Sequence, residues 1–363
     1  MLTFPLIRLC FILLSCLVYL PAPAQKFRVG ITAEESELVV RRAANAELLT
    51  RSLNYADLSY ACPPFLDLGA PKAPYILSAD VIPQFAIGGK WLPVAIHLTP
   101  RFKARIFRNN ELIGDSSLPV RTPSYMPGAT IYFKSDKLNK PDAYLYKFAS
   151  LSLFHHSNGQ DGNSLRPDGT YNQYDGSFST NYLEGAVYVS RKFGYSDGND
   201  VNFTCDNGAK THYDAYGRLG FEKHFSSDPN MVGRYGQNRL NVRAGLIRNK
   251  VYRDKLITSQ KDTLYSECYT RERYRAVLTT SFITDSNLPD LGGKMNSWKR
   301  RVNAELMIAR RLPVSANVAI QASAGYYGSD PYNAYFEDSY FFIRAGLAFG
   351  FFTATDYRDT PTR

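Results

Sequence analysis

Two residues able to do nucleophilic and acid–base chemistry stand two positions apart, His155 and Ser157, in the run Leu151-Ser152-Leu153-Phe154-His155-His156-Ser157-Asn158-Gly159. A serine hydroxyl is a weak nucleophile until a neighbouring base takes its proton, and an imidazole serves as that base when a third group fixes its tautomer and orientation. In a β-strand, positions i and i+2 project to the same side. His155 and Ser157 therefore continue the row Ala149, Leu151, Leu153, whereas Ser150, Ser152, Phe154 and His156 point the other way. The first row is the more apolar and suits lipid. A His and a Ser at the end of a lipid-facing row are costly unless they act there, although such a pair also arises by chance in strands and His-rich loops.

The third group must come from a neighbouring strand. Asn181 opens the row Asn181, Leu183, Gly185, Val187, Val189, again the apolar one, and an antiparallel return through 159–180 brings it near His155 on the same face. Glu184 is the rival acid. Its parity with Tyr182, Ala186 and Tyr188 turns it inward, which favours Asn181.

Strands must position these residues, and from about Ser78 onward the dominant period is two. Leu240, Val242, Ala244 and Leu246 alternate with Asn241, Arg243, Gly245 and Ile247. Comparable alternations begin at Val302, Val318 and Phe341, the last with Phe341, Ile343, Ala345, Leu347, Phe349 and Phe351 on one face. Further candidates are Ala129–Lys134, Tyr146–Asn158, Asn181–Lys192, Tyr213–Glu222 and Tyr274–Ile283, with more between Ser78 and Arg108 around Pro83, Pro93 and Pro100. About 10 or 11 strands are visible, and single-chain bacterial barrels have even numbers, so the sequence predicts an all-β, transmembrane antiparallel β-barrel of about 12 strands. The missing strand is expected in the N-terminal third. A soluble β-sandwich alternates too, but it does not carry an apolar outer face on strand after strand.

Composition agrees with this reading. The 363 residues are 44% hydrophobic, with a mean hydropathy of −0.29 and one long apolar run, Leu9 to Leu20. That excludes a bundle of membrane helices but not a barrel, in which the two faces of each strand average out. Tyr 26 and Phe 22 against Trp 2 suit aromatic girdles at the membrane interfaces. Met1 to Ala24 reads as a signal peptide, with Arg8, the apolar run and an Ala22-x-Ala24 cleavage site before Gln25. Leu13-Leu14-Ser15-Cys16 resembles a lipobox, but apolar residues continue past it. Removing this leader takes away one Arg and lowers the net charge from +10 to +9. The remaining Cys62, Cys205 and Cys268 form neither a disulfide framework nor a zinc site. Without a Lys/Arg block the excess charge points to lipid phosphates or anionic glycolipid and not to nucleic acid. Residues 25–75 read as an N-terminal periplasmic extension, with an amphipathic helix over Ala33–Leu53 followed by Pro63, Pro64, Pro71 and Pro74. Residues 76–352 form the barrel, and 353–363 a C-terminal tail.

The segment His155-His156-Ser157-Asn158-Gly159 resembles the H-x-S-N-G motif of the outer membrane phospholipase A family, and Ser179-Thr180-Asn181 resembles its S-x-N segment. Ser117–Pro127, Gly325-Tyr326-Tyr327-Gly328 and Arg344-Ala345-Gly346-Leu347 are similar to other stretches of that family, though less specific. The resemblance implies a barrel of the bacterial outer membrane that hydrolyses phospholipid esters, with Ser157 as nucleophile, His155 as base and Asn181 orienting His155. It also implies calcium, held by the carbonyl of Gln160 and by Ser177, with a hydroxyl near Ser117 from a partner subunit in a reversible homodimer. Two departures are the long loop from Gln160 to Thr180, with Asp161, Asp168 and Asp175, and the tail from Thr353. The alternatives are a lipid A deacylase with an acidic third residue, against which length and the parity of Glu184 argue, and a non-enzymatic porin or transport barrel in which His155 and Ser157 are incidental.

Overall fold

The computed structural model describes residues 47–63, 67–68, 75–89, 92–107, 123–135, 137–139, 145–172, 175–193, 211–233, 235–258, 264–285, 297–313, 317–332, 339–350 and 353–358; for 67–68, 75–76, 89, 92, 107, 251–258, 264–270 and 353–358 only the backbone path is described. In chain order the strands are β1 (Ser59–Cys62), β2 (Asp67–Leu68), β3 (Tyr75–Val81), β4 (Phe85–Gly89), β5 (Leu92–Phe107), β6 (Ser124–Phe133), β7 (Tyr146–Ser157), β8 (Ser179–Phe193), β9 (Thr211–Phe225), β10 (Asn238–Thr258), β11 (Leu264–Ile283), β12 (Val302–Arg311), β13 (Val318–Tyr327), β14 (Tyr340–Phe349) and β15 (Thr353–Arg358). All belong to one sheet, in the order β1-β3-β5 and then consecutively to β14, and pairing of β14 with β1 closes the ring at 12 strands. Every pairing is antiparallel. Closure leaves the wall no open edge, which a spanning sheet requires in lipid.

Period two decides which side chains meet lipid. On β8 the outward row Leu183, Gly185, Val187, Val189 is exposed, while Glu184, Ala186, Tyr188 and Ser190 are buried in the lumen. Leu240, Val242 and Leu246 on β10, Leu306 and Ile308 on β12, and Phe341, Ile343 and Leu347 on β14 extend the apolar outer wall. The expected strands are thus present. Several run longer than their alternation showed: β11 begins at Leu264, ten residues before Tyr274, because its first half pairs with β10 beyond the alternating stretch. Ile82-Pro83-Gln84 interrupts the strand that pairs with β5, so β3 lies along Phe102–Phe107 and β4 along Leu92–Leu98. Proline has no N–H for the ladder, which accounts for the break.

The lumen is filled. The helical segment 47–54 sends Leu48 into a cluster with Tyr55, Tyr132, Phe148, Tyr188, Tyr216 and Ile247. Arg51 donates to Glu47 (2.7 Å) and to Ser190 Oγ (2.6 Å), and Tyr55 donates to Asp214 (2.8 Å). Farther along, Arg101 pairs with Asp80, Arg218 with Glu184, Arg239 with Glu222, and Arg243 with Asp57. Removing one partner of such a buried pair typically costs about 3–5 kcal/mol. The pairs therefore lock neighbouring strands and fill the space a channel would need.

The stretch read as a periplasmic extension needs correction over its described part. Residues 47–58 lie in the lumen, and β1 is a staple of the wall between β3 and β14. At four residues, Ser59–Cys62 is too short to show a period, and the prolines after it look like loop; partners on both sides make it a strand. It is the strand expected in the N-terminal third. Thr353–Arg358, read as tail, pairs with β11. The signal peptide, most of the rest of the extension and Cys205 lie outside the described residues.

The connections at the two ends differ. At the end reached by Phe107, Ser157, Phe225, Ile283 and Tyr327 every intervening segment is long, that after Ser157 running to Ser179, whereas at the other end β4–β5, β10–β11 and β12–β13 turn in a few residues and only Phe133–Tyr146 and Phe193–Thr211 are long. Outer-membrane barrels keep short turns on the periplasmic side and longer loops outside. Ser157 is therefore at the external end.

Candidate active site

Strands β7 and β8 bring the three residues together by register alone. His155 lies directly opposite Asn181, and Ser157 opposite Ser179. The His155 ring Nδ1 is 3.0 Å from Asn181 Oδ1. With that oxygen accepting, Nδ1 carries the proton and Nε2 keeps its lone pair for a hydroxyl. Ser157 projects from the same face two residues on. Its hydroxyl makes no hydrogen bond among the described residues, as is common when a catalytic contact tightens only around substrate. All three side chains are half-buried, above the outward pairs Leu153–Leu183 and Leu151–Gly185. Leu153 is 53% exposed. A side chain at Gly185 would meet nothing within 4 Å, so its absence leaves a shallow dip between Leu151 and Phe221.

Glu184 faces the lumen, where it pairs with Arg218 and accepts from Asn241 Nδ2 at 2.9 Å. The wall separates it from His155. His156 is buried, with its ring edge-on to Phe178 at 5.0 Å. Behind Asn181 the strand is tied from the inside: Thr180 Oγ1 is 3.0 Å from His224 Nδ1 and 2.8 Å from Ser227 Oγ, and His224 Nε2 is 2.6 Å from Glu222. The outer face thus carries His155, Ser157 and Asn181 while the inner face holds the backbone.

Asn158 and Gly159, part of the motif but given no role by sequence, shape the exit from β7. Asn158 is fully buried; its Nδ2 donates to the Gly176 carbonyl (2.7 Å), and its Oδ1 accepts from the N–H of Phe178 (3.1 Å) and of Gln160 (3.3 Å). It ties both ends of the loop between β7 and β8 beside Ser157. Gly159 has φ +64°, and a Cβ there would lie 2.8 Å from the Tyr125 ring, so glycine is required twice over. The loop is compact. Gly162 bridges Gly176, Leu165 bridges Tyr171, and Tyr171, Phe178, Met231 and Tyr235 form a small core over it. The sequence signal for the Asn158 anchor was its place between the motif serine and a glycine, which is compatible with many turns.

The expected calcium donors are partly in view. The bridge of Gly162 with Gly176 draws together the chain segments carrying Gln160 and Ser177. The Gln160 carbonyl accepts no hydrogen bond among the described residues. The Ser177 carbonyl is used, accepting from Ser164 Oγ at 2.7 Å. No cluster of three or more His, Cys, Asp or Glu side chains able to hold a metal occurs among the described residues. The oxygens in these two segments include the Gln160 carbonyl and the carboxylate of Asp175, which lies against Gly162. Ser117 lies outside the described residues.

Fold and wall define a membrane-spanning β-barrel of the bacterial outer-membrane class, with a Ser, His and Asn set on its outer wall. No family model matches the chain, and no curated protein does. Among solved structures it is similar to the outer membrane phospholipase A of Escherichia coli, at 12% identity and a TM-score of 0.44, over 84% of this chain and 98% of that one. With the same values it is similar to the Salmonella typhi outer membrane phospholipase, a dimer with bound calcium. These are likenesses of chain path, and the chemistry rests on the side chains described above.

Proposed function

We propose that the protein is a calcium-dependent phospholipase A of the outer membrane that hydrolyses acyl esters of glycerophospholipids in the outer leaflet. The observation that carries this reading is the His155–Asn181 hydrogen bond on a lipid-facing wall, in line with Ser157. A fully exported porin would have no use for an imidazole fixed at that depth, and its lumen would not be filled.

In this reading Ser157 Oγ attacks the ester carbonyl carbon while His155 Nε2 takes its proton, and Asn181 holds the resulting imidazolium through Nδ1. The tetrahedral intermediate collapses, the C–O bond to the glycerol breaks, and His155 returns the proton to the departing alcohol. Water then attacks the acyl-serine, losing its proton to His155, and the fatty acid leaves as Ser157 is restored. The apolar pairs Leu153–Leu183 and Leu151–Gly185 lie where an acyl chain would descend into the membrane. Gln160 and Ser177 would hold the cation, with a contribution near Ser117 from a second copy. Bound there, calcium supplies positive charge beside the developing oxyanion. Reversible dimerisation through this wall would cover the exposed leucines and regulate activity.

The test is hydrolysis of phosphatidylethanolamine in mixed micelles by the wild type and Ser157→Ala, each with calcium and with chelator. We expect activity only in the calcium-loaded wild type. Activity retained by Ser157→Ala overturns the serine mechanism; activity retained under chelation overturns the metal requirement; hydrolysis confined to lipid A moves the protein to the deacylases.

A further inference from the structure

At the short-turn end, strands β10, β11 and β12 place Arg248, Tyr274 and Arg310 side by side in direct cross-strand register. Both guanidinium carbons lie 5.5 Å from the centre of the Tyr274 ring, which is 37% exposed. The three residues line a concavity of about 260 Å³ shared with Lys250, Arg273 and Arg311, and among the described residues no acidic side chain contributes to its wall. Among the described residues neither Arg248 nor Arg310 has a carboxylate partner. Cations gathered on adjacent strands repel one another. No carboxylate among the described residues offsets the repulsion of these two, whereas in the lumen the arginines Arg101, Arg218, Arg239 and Arg243 each meet an acid.

The surroundings identify what would offset it. Two residues toward the middle of the wall come the exposed side chains Leu246 and Ile308, and Ile320, also exposed, stands beside Arg310 in direct register. Depth can be read along β9, where Phe225 is paired with Asn181 and Tyr213, twelve residues away, is paired with Arg248. That is about 40 Å of strand, or about 30 Å along the membrane normal at a tilt of about 40°, one hydrocarbon thickness from the candidate active site. Arg248, Tyr274 and Arg310 thus stand at the opposite interface, among headgroups of the periplasm-facing leaflet.

We propose that this cluster binds the phosphate-bearing headgroup of an anionic glycerophospholipid in the inner leaflet, its acyl chains lying along Leu246, Ile308 and Ile320. The site is independent of the hydrolytic reading. Arginine suits the role, since its planar donors match phosphate oxygens while its face stacks on an aromatic ring. A free anion would use the charge but not the adjoining apolar wall.

The test is native mass spectrometry of the full chain in detergent, titrated with ether-linked phosphatidylglycerol, which has no ester to hydrolyse. Each cation near an anionic headgroup contributes about a fivefold change in affinity, so Arg248→Gln/Arg310→Gln is expected to weaken binding at least about tenfold. If the double variant fails to fold, the single variants, each expected to bind about fivefold more weakly, decide instead. Unchanged affinity in the variants that fold overturns the proposal. Displacement of the lipid by equimolar inorganic phosphate overturns it as well, by making the site one for soluble anions.

Discussion

Which residue serves as the third member of the catalytic set separates an outer-wall mechanism from an inner one, and two substitutions decide it. Asn181→Ala removes a bond of 3.0 Å that in the transition state would be made to an imidazolium. A bond to a charged group contributes about 1.5–3 kcal/mol, and a decade in rate corresponds to about 1.4 kcal/mol. We therefore expect kcat to fall about ten- to 150-fold. KM should hold, because the wall that meets the acyl chain is untouched. Ser157→Ala removes the nucleophile and should lower kcat by at least about 10⁴-fold. Glu184→Gln changes a lumen charge that pairs with Arg218 behind the wall; it should lower the unfolding temperature and leave kcat within about twofold. The assay is initial-rate hydrolysis of mixed micelles with saturating calcium, at matched folded fractions judged by heat-modifiable electrophoretic mobility. The reasoning from parity fails if Glu184→Gln drops to the level of Ser157→Ala while Asn181→Ala keeps the wild-type rate.

Other consequences can be checked in parallel. Asn158→Ala strips partners from the Gly176 carbonyl and the Phe178 N–H, each worth about 1–3 kcal/mol when buried; limited proteolysis should then cut within 159–178 faster and hydrolysis should fall, and an unchanged cleavage pattern would show the anchor to be dispensable. Gly159→Ala forces a side chain against Tyr125 at a positive φ, and should lower activity more than Gly169→Ala, whose added Cβ meets nothing within 4 Å; equal activities would count against the close approach. Burial pushes the Asp330 carboxyl up, but the Arg105 guanidinium together with Lys103 and the Tyr332 N–H outweighs this and holds it below its ordinary value. A lowered folded pKa contributes stability that is full above the ordinary value of about 3.9 and is lost as pH falls through the folded value. Thermal unfolding of the wild type should thus lose more between about pH 4 and 2 than that of Asp330→Asn; parallel curves would refute the linkage. If Ser177 holds the cation, Ser177→Ala should raise the calcium concentration for half-maximal hydrolysis at least about threefold with little change in maximal rate, and an identical calcium curve would remove Ser177 from the site.

What the sequence by itself determined follows from local geometry. A period of two places Leu151, Leu153, His155 and Ser157 on one face and Glu184 on the other, whatever the strands later pair with, because pleating is a property of the extended backbone. The barrel class and the opposite faces taken by Asn181 and Glu184 were legible on that basis, whereas the strand number came from about 10 or 11 visible strands and the even count of such barrels. Decisions that need partners distant in the chain were not. Ser59–Cys62 becomes a strand only because β3 and β14 offer edges on both sides. Leu48 and Arg51 are drawn into the lumen only because Tyr132, Phe148, Tyr188, Ser190 and Asp214 converge there from separate strands. The Asn158 anchor exists only because Gly176 and Phe178 return to it across a loop, and the row Arg248, Tyr274, Arg310 only because three strands take one register. Register across a closed sheet is fixed by all its pairings together, so no window of sequence contains it.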